Sequence, residues 1–480
     1  MTHSVYLSDV QPYVHPCALY KYYNTSIRES QKPEWNQQKH FSASSVVGVG
    51  EEMDIDVTVL LCLVLGLIMY FLFQPRNPNS PPCVSSWIPW FGAAFQFGKA
   101  PLEFLEQARI KHGPVFTVYI LGNRLTFVAE TEDALELLRT KEADFDEAVI
   151  RIFKLIVRQL SPSNLHQFSE TLWDEFHEHV DHLGKEGTED LNELVRQVMF
   201  PTIMKTLFGK SFGPTNKSRT EEFERHFQNF DDEFEFGSQM PEFFLRKWSK
   251  SKTWLLTEFE RIVTDIKKHK PSESDSKTLV QHVLDNFHGN GVANFLLLLF
   301  WASQVNAVSG AFWTLAFILS HPSIYKNIME EIVSVYGKAG NKIEVFEDDL
   351  RKLPSIKQCI LEALRLTSPG VIMRKAMKPI KNFVIPPGDL LLVSPYWMHR
   401  NPKYFPEPEI FKWSHDRWKE ANLEKNAFLD GYFAFGGGKN RCPGRWFSIM
   451  ETHMLVVILL YKYQFTLLDP VPKQVTSAGI

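Results

Sequence analysis

The run ANFLLLLFWASQVNAVSGAFWTLAFILS, Ala293 to Ser320, carries no charged residue. A segment this long and apolar has two homes, the hydrocarbon of a membrane or the middle of a large folded core. Its own centre decides between them. Ser303, Gln304, Asn306 and Ser309 sit there beside Gly310, and hydrocarbon penalises such polar groups, whereas a large soluble core can pair them. The segment therefore reads as a long helix buried in a large domain. With 480 residues, 44% of them apolar, the chain has enough material for that domain.

Elsewhere the pattern is mostly helical. PLEFLEQARIKHG, Pro101 to Gly113, has a proline start, a glycine stop and helical apolar spacing, and VFTVYILGNRLTFVAE behind it reads as a hairpin turning at Gly122-Asn123. Helix-like spacing runs from Glu132 to about Leu366, and strand signals return in FVIPPGDLLLVSP. No repeat or low-complexity tract interrupts it. The expectation is one mainly α domain with a minor β-sheet over residues 84–480.

Ahead of that domain, VTVLLCLVLGLIMYFLF at residues 57–73 has the length and composition of a membrane anchor, and a proline-rich hinge at 74–83 follows it. Glu51, Glu52, Asp54 and Asp56 precede the anchor and Arg76 follows, a bias that puts the C-terminal bulk on the cytoplasmic side. No small-x-small cleavage site is present, so the anchor is expected to be retained. Residues 1–52 read as an atypical extension, with Met53 as the expected natural start.

The net charge of −4 offers no footprint for nucleic acid. Five scattered cysteines, Cys17, Cys62, Cys83, Cys359 and Cys442, make no disulfide framework and suit a reducing compartment. Three constellations remain. HEHVDH, His177 to His182, resembles a zinc-protease helix but has Asp181 where the second histidine is needed, so it reads as a charged, solvated helix face. In LEALRL, Glu362 and Arg365 stand three apart and can pair on one helix face. FGGGKNRCPG, Phe435 to Gly444, has the spacing F-x-x-G-x-x-x-C-x-G.

That spacing makes sense if Cys442 is a thiolate ligand to a flat iron macrocycle. Glycines allow the positive backbone torsions of a tight bulge, and Gly444 permits close backbone approach. A helix starting near Pro443 would aim the positive end of its dipole at the sulfur and lower the thiol pKa. The bland alternative is a glycine-rich turn with an incidental buried cysteine, which the full spacing disfavours.

With these motifs in order, the chain resembles a microsomal cytochrome P-450, a haem-thiolate monooxygenase. WIPWFGAAFQFGKAPLEFLEQARIKHGPVFTV, WASQVNAVSGAFW, HRNPKYFPEPEIFK and ANLEKNAFLDGYFAFGGGKNRCP resemble its sterol 7α-hydroxylase branch. The resemblance implies haem b with Cys442 as axial iron ligand, Phe435, Gly438 and Gly444 in the cofactor loop, and Arg374 on a propionate. It implies a structural triad of Glu362, Arg365 and Arg417, and an oxygen-binding segment from Ala302 to Asn306, those two residues being catalytic. By position beside the iron site, Phe300, Trp301, Val371 and Ile372 are expected to line the substrate pocket. The implied reaction places a hydroxyl on ring carbon 7 of an oxysterol such as 24-hydroxycholesterol, in bile acid synthesis and cholesterol catabolism. It uses O2 and electrons from NADPH through the flavoprotein NADPH-cytochrome P-450 reductase. The implied setting is the endoplasmic reticulum membrane, with a single span among membrane lipid and a cytosolic catalytic domain.

Departures from the family pattern leave alternatives open. The usual acid and threonine of the central helix are Val305 and Asn306, Ser309 stands where the branch often has proline, and Asn440 replaces a usual arginine. The stretch between DFDEAV and NLHQF, and the end after PKQVTSAGI, are shorter than the family norm. A haem-thiolate isomerase resembling prostacyclin synthase is the second reading, separated by NADPH-dependent turnover. A haem-binding or degenerate protein without turnover is the third, tested by whether reduced, CO-treated protein shows a thiolate-type Soret band.

Overall fold

The computed structural model describes residues 2–6, 59, 62–66, 80–84, 91–120, 122–134, 143–144, 147–209, 217–237, 242–268, 278–286, 291–339, 343–368, 371–376, 385, 389–412, 415–418, 431–438 and 441–471. Helices dominate them. The ones that build the site are α1 (Pro101–His112), α2 (His166–Asp181), α3 (Leu191–Ile203), α4 (Lys217–Asp232), α5 (Arg246–Lys268), α6 (Val292–Ser320), α7 (Pro354–Thr367) and α8 (Arg445–Lys462). The sequence marks several of their ends. Pro101 and Pro354 open α1 and α7, Gly113 closes α1 at φ 90°, and Asp190 caps α3 by accepting the Glu193 N–H at 3.0 Å.

The uncharged run is α6, a 29-residue helix packed against α3, α5, α7 and α8. It is the one described helix long and apolar enough to cross a membrane, yet more than half of its most apolar window is buried inside the protein. Two of its middle polar side chains donate hydrogen bonds to backbone carbonyls: Ser303 Oγ to Phe300 at 2.8 Å, and Gln304 Nε2 to Phe200 at 3.1 Å. Helix α8 is buried on nearly every side from Arg445 to Tyr461, which explains why its sequence shows no polar face.

A six-stranded sheet flanks the helices. Its order is β2 (Cys83–Val84), β3 (Val115–Ile120), β4 (Asn123–Val128), β8 (Leu390–Val393), β7 (Ile372–Ala376) and β5 (Ala143–Asp144). The expected hairpin is β3–β4, antiparallel with Val115 opposite Val128, and Gly122 turns it at φ 82°. Thr117 and Thr126 face each other there with hydroxyl oxygens 2.8 Å apart, and Phe116 stacks on Phe127. Strand β8 joins β4 in parallel and β7 in antiparallel register, which sets Arg374 opposite Leu391. A smaller sheet places β1 (Thr2–Tyr6) between β6 (Thr188–Asp190) and β9 (Gln464–Leu467), both parallel to it. Of the expected anchor, only Val59 and residues 62–66 are described, and they are helical and exposed. Most of the 1–52 segment and of the hinge lies outside the described residues.

Candidate active site

Cys442 stands two residues before the cap of α8; it forms no disulfide and is exposed. The loop ahead of it is a tight turn. Gly436 and Gly438 adopt φ 74° and 68°, the left-handed region where a side chain is strained. The Gly436 N–H donates to the Phe433 carbonyl at 2.9 Å, and the Cys442 N–H reaches back to the Phe435 carbonyl at 2.8 Å. The helix starts at Arg445, two residues later than its expected start. Cys442 thus precedes a helix N-terminus by three residues, the end of the helix dipole that favours an anion. Arg445 Nη1 donates to the Cys442 carbonyl at 2.9 Å; burial lowers the guanidinium pKa while the neighbouring Cys442 raises it. Gly444 is not demanded by the chain's own packing, since φ is −84° and an added Cβ would meet only Leu160 Cδ1, at 3.9 Å.

A buried ionic knot braces this loop. Glu362 and Arg365 on α7 are wholly buried and paired bidentately, with Arg365 Nε and Nη2 each 2.9 Å from a Glu362 oxygen. Arg417 Nη1 donates to the same carboxylate at 2.5 Å, and the Lys412 N–H at 2.9 Å. The remaining Arg365 donors reach the carbonyls of His399, Pro408 and Ile410.

His399 carries this bracing towards the cysteine, and sequence reasoning missed it. Its Nε2 accepts the Phe433 N–H at 2.8 Å, so Nδ1 holds the proton and donates to the Arg365 carbonyl at 2.8 Å. Burial drives its pKa down to about 3 and the ring stays neutral. The only sequence signal is one histidine in the apolar stretch SPYWMHRNP.

On α6 the sequence-expected catalytic residues share one accessible stripe. Asn294, Leu298, Ala302 and Asn306 follow at intervals of four and are exposed on a helix otherwise largely buried. Phe300 and Trp301 correct the expectation that they line the pocket. Two residues from Ala302 is more than half a helical turn, so Phe300 faces the core, wholly buried in a cage of Phe200, Phe208, Phe223 and Phe227. Trp301 is also buried; its indole stacks on Phe234, and Nε1 donates to Asp231 Oδ1 at 2.9 Å. Val371 and Ile372 are half-buried at the sheet. Arg374 is placed by its backbone on β7, and its side chain is outside the described residues. The HEHVDH segment ends α2 as a charged face, with His177 paired to Asp181 at 2.9 Å.

The cytochrome P450 family model matches residues 81–479. The chain belongs to the cytochrome P450 family. It is 49% identical to human 24-hydroxycholesterol 7-alpha-hydroxylase, over 87% of this chain and 94% of that protein. The mouse protein of the same name is 48% identical, over 86% and 92% respectively. A retinoic acid bound cyanobacterial CYP120A1 shares the fold, with a TM-score of 0.64, 20% identity and coverage of 80% of this P450 and 92% of that chain. The protein is thus a haem-dependent monooxygenase supplied with electrons by a redox partner. Its donor set fits the cofactor: an accessible thiol at a helix N-terminus, a turn that only glycine adopts without strain, and a helix that keeps one stripe open.

Proposed function

We propose that the enzyme installs a 7α-hydroxyl on 24-hydroxycholesterol. The observation that carries this reading is the 49% identity extending over 94% of the human enzyme of that name. In this reading Cys442 would hold the haem iron through its sulfur, and Phe435, Gly438 and Gly444 would shape the loop against the haem. Arg374 meets a propionate, and Glu362, Arg365 and Arg417 hold the loop in place. Haem would supply the activation of O2 and the insertion of one of its two oxygen atoms into a C–H bond. Ala302 leaves room on the α6 stripe. The Asn306 amide, both donor and acceptor, holds a water or substrate hydroxyl and so keeps a proton at hand. Val371 and Ile372 at the β7 edge stay in the proposed pocket lining.

Electrons come from NADPH through NADPH-cytochrome P-450 reductase, and residues 57–73 anchor the enzyme in the endoplasmic reticulum membrane with its catalytic domain in the cytosol. The test is a titration of purified holoenzyme against cholesterols hydroxylated at different side-chain carbons, followed by product analysis in the presence of reductase and NADPH. A spectral shift and a 7α-hydroxylated product strongest for 24-hydroxycholesterol is expected. A product oxidised elsewhere, or turnover independent of NADPH, refutes the assignment.

A further inference from the structure

On the flank of α6, beside its accessible stripe, lies a cleft of about 350 Å³. Glu193 and Arg196 of α3 form one wall, and Glu221, Glu224 and Arg225 of α4 the other. Its floor is α6 itself, at Gln304, Val305 and Ser309. Helix geometry sets the last two on either side of Asn306: Val305 precedes it in sequence, and Ser309 lies one turn on. The cleft therefore reaches from exposed charged side chains down to the turn that carries Asn306. A space this polar has room for water.

Two features show that the floor is built for more than packing. Gln304 is 1% exposed; its Nε2 is used on the Phe200 carbonyl, while its Oε1 has no hydrogen-bond partner among the described residues. An unpaired buried oxygen is costly and calls for a donor, and the cleft is the adjacent supply. The reaction also needs protons that the stripe cannot provide. Each turnover converts R–H, O2, two electrons and two protons into R–OH and H2O: one oxygen atom enters the C–H bond, and the other leaves as water with both protons. Asn294, Leu298, Ala302 and Asn306 include no titratable group, and the flanking Val305 has none.

The geometry points to this cleft as the proton inlet of the enzyme, in which Glu224 passes protons from solvent to water held against Gln304 and Ser309, next to Asn306. Glu224 acts through that water, so it is a positioning residue. Glu224 is an exposed residue on the cleft wall; partial desolvation there, with Glu193 and Glu221 alongside, raises its pKa, and Arg196 opposes the rise. Arg225 and Asp231 are the other charged groups lining the cleft, and Asp231 is engaged by the Trp301 indole. The raised affinity keeps a proton on Glu224 at a pH where an ordinary glutamate has lost it.

The inference rests on the monooxygenase reading and not on the choice of sterol. Its test uses the full-length holoenzyme and the variants Glu224→Gln and Glu224→Asp. Without turnover, vibrational spectroscopy over a pH series should show a protonated-carboxyl band that persists above the ordinary glutamate range and is absent in Glu224→Gln. With reductase, NADPH and sterol, Glu224→Gln should keep its haem and substrate-binding spectra, lose roughly tenfold in product per NADPH, divert electrons to peroxide and show an altered solvent isotope effect. Glu224→Asp should recover part of the coupling. A band unchanged by Glu224→Gln, or unchanged coupling and isotope effect in that variant, overturns the inlet. A persistent Glu224 band in an enzyme that ignores every oxysterol overturns only the substrate assignment.

Discussion

Arg365→Ala should abolish haem-loaded folding rather than alter product choice. Arg365 makes five donated hydrogen bonds from a wholly buried guanidinium: two at 2.9 Å to Glu362 and three to the carbonyls of His399, Pro408 and Ile410 at 2.8, 2.7 and 3.3 Å. Removing one partner of a buried pair costs about 3–5 kcal/mol. Each orphaned carbonyl adds about 1–3 kcal/mol where water does not replace the lost donor. Arg417 and the Lys412 N–H remain on Glu362 and keep the loss at the lower end for the carboxylate. The total, on the order of 5–10 kcal/mol, rivals the roughly 5–15 kcal/mol by which domains are stable at all. Arg365→Lys has three donors in place of five, so two acceptors go unmet and the cost is about 2–6 kcal/mol, enough to leave a weakened but folded enzyme. The assays are haem per protein from the CO-difference spectrum and the thermal unfolding midpoint. A soluble Arg365→Ala enzyme with full haem and a midpoint within a few degrees of the parent refutes this account of the knot.

Three further outcomes are expected. Cys442→Ala should lose the thiolate-type CO spectrum entirely, and its retention would refute the ligand assignment. Asn306→Leu, which removes donor and acceptor at similar volume, should keep haem while hydroxylation falls at least about tenfold and peroxide rises; unchanged coupling would reduce Asn306 to packing. His399 and His453 are both buried neutral with pKa values lowered to about 3 from an ordinary 6.5, so the stability they allow is complete above pH 6.5 and is lost as pH falls towards 3. That loss amounts to about 1.4 kcal/mol per pH unit for each histidine. Urea unfolding at pH 7, 6 and 5 measures it, and His399→Asn should give a shallower slope; an equal slope in the variant contradicts the assignment.

Local chemistry made much of this molecule readable in advance. Pro101 and Gly113 bracket α1, Gly122 turns the hairpin, and the uncharged run becomes α6, whose Ser303 hydroxyl and Gln304 amide nitrogen find carbonyls within the core. Other features depend on contacts that no local window contains. The spacing of Glu362 and Arg365 is the same on a surface helix as in a buried one, and their burial comes from segments packed over them near residues 399–412. Position beside the iron site suggests the pocket for Phe300 and Trp301, but the phase of α6 turns them into the core. His399 escaped notice because its two partners lie 34 residues before and 34 after it. Gln304 was legible as a polar residue within an apolar run, but not as one whose oxygen would end without a partner.

The parallel junction of β4 with β8 has a consequence for the making of the protein. Arg124 and Asp389, joined at 2.8 Å along that junction, are 265 residues apart in the chain. Closing so long a loop costs on the order of 5 kcal/mol in chain entropy, so the junction forms only when neighbouring helices have already brought its ends together. At roughly 5–20 residues per second, a ribosome takes about 15–50 s to reach β8 after it has released β4. Throughout that interval the hairpin presents an unpaired edge, with Leu125 and Phe127 beside it, to any other strand nearby. This exposed edge is present before the haem loop is made, and chaperone demand should follow the delay before residues 390–393 emerge.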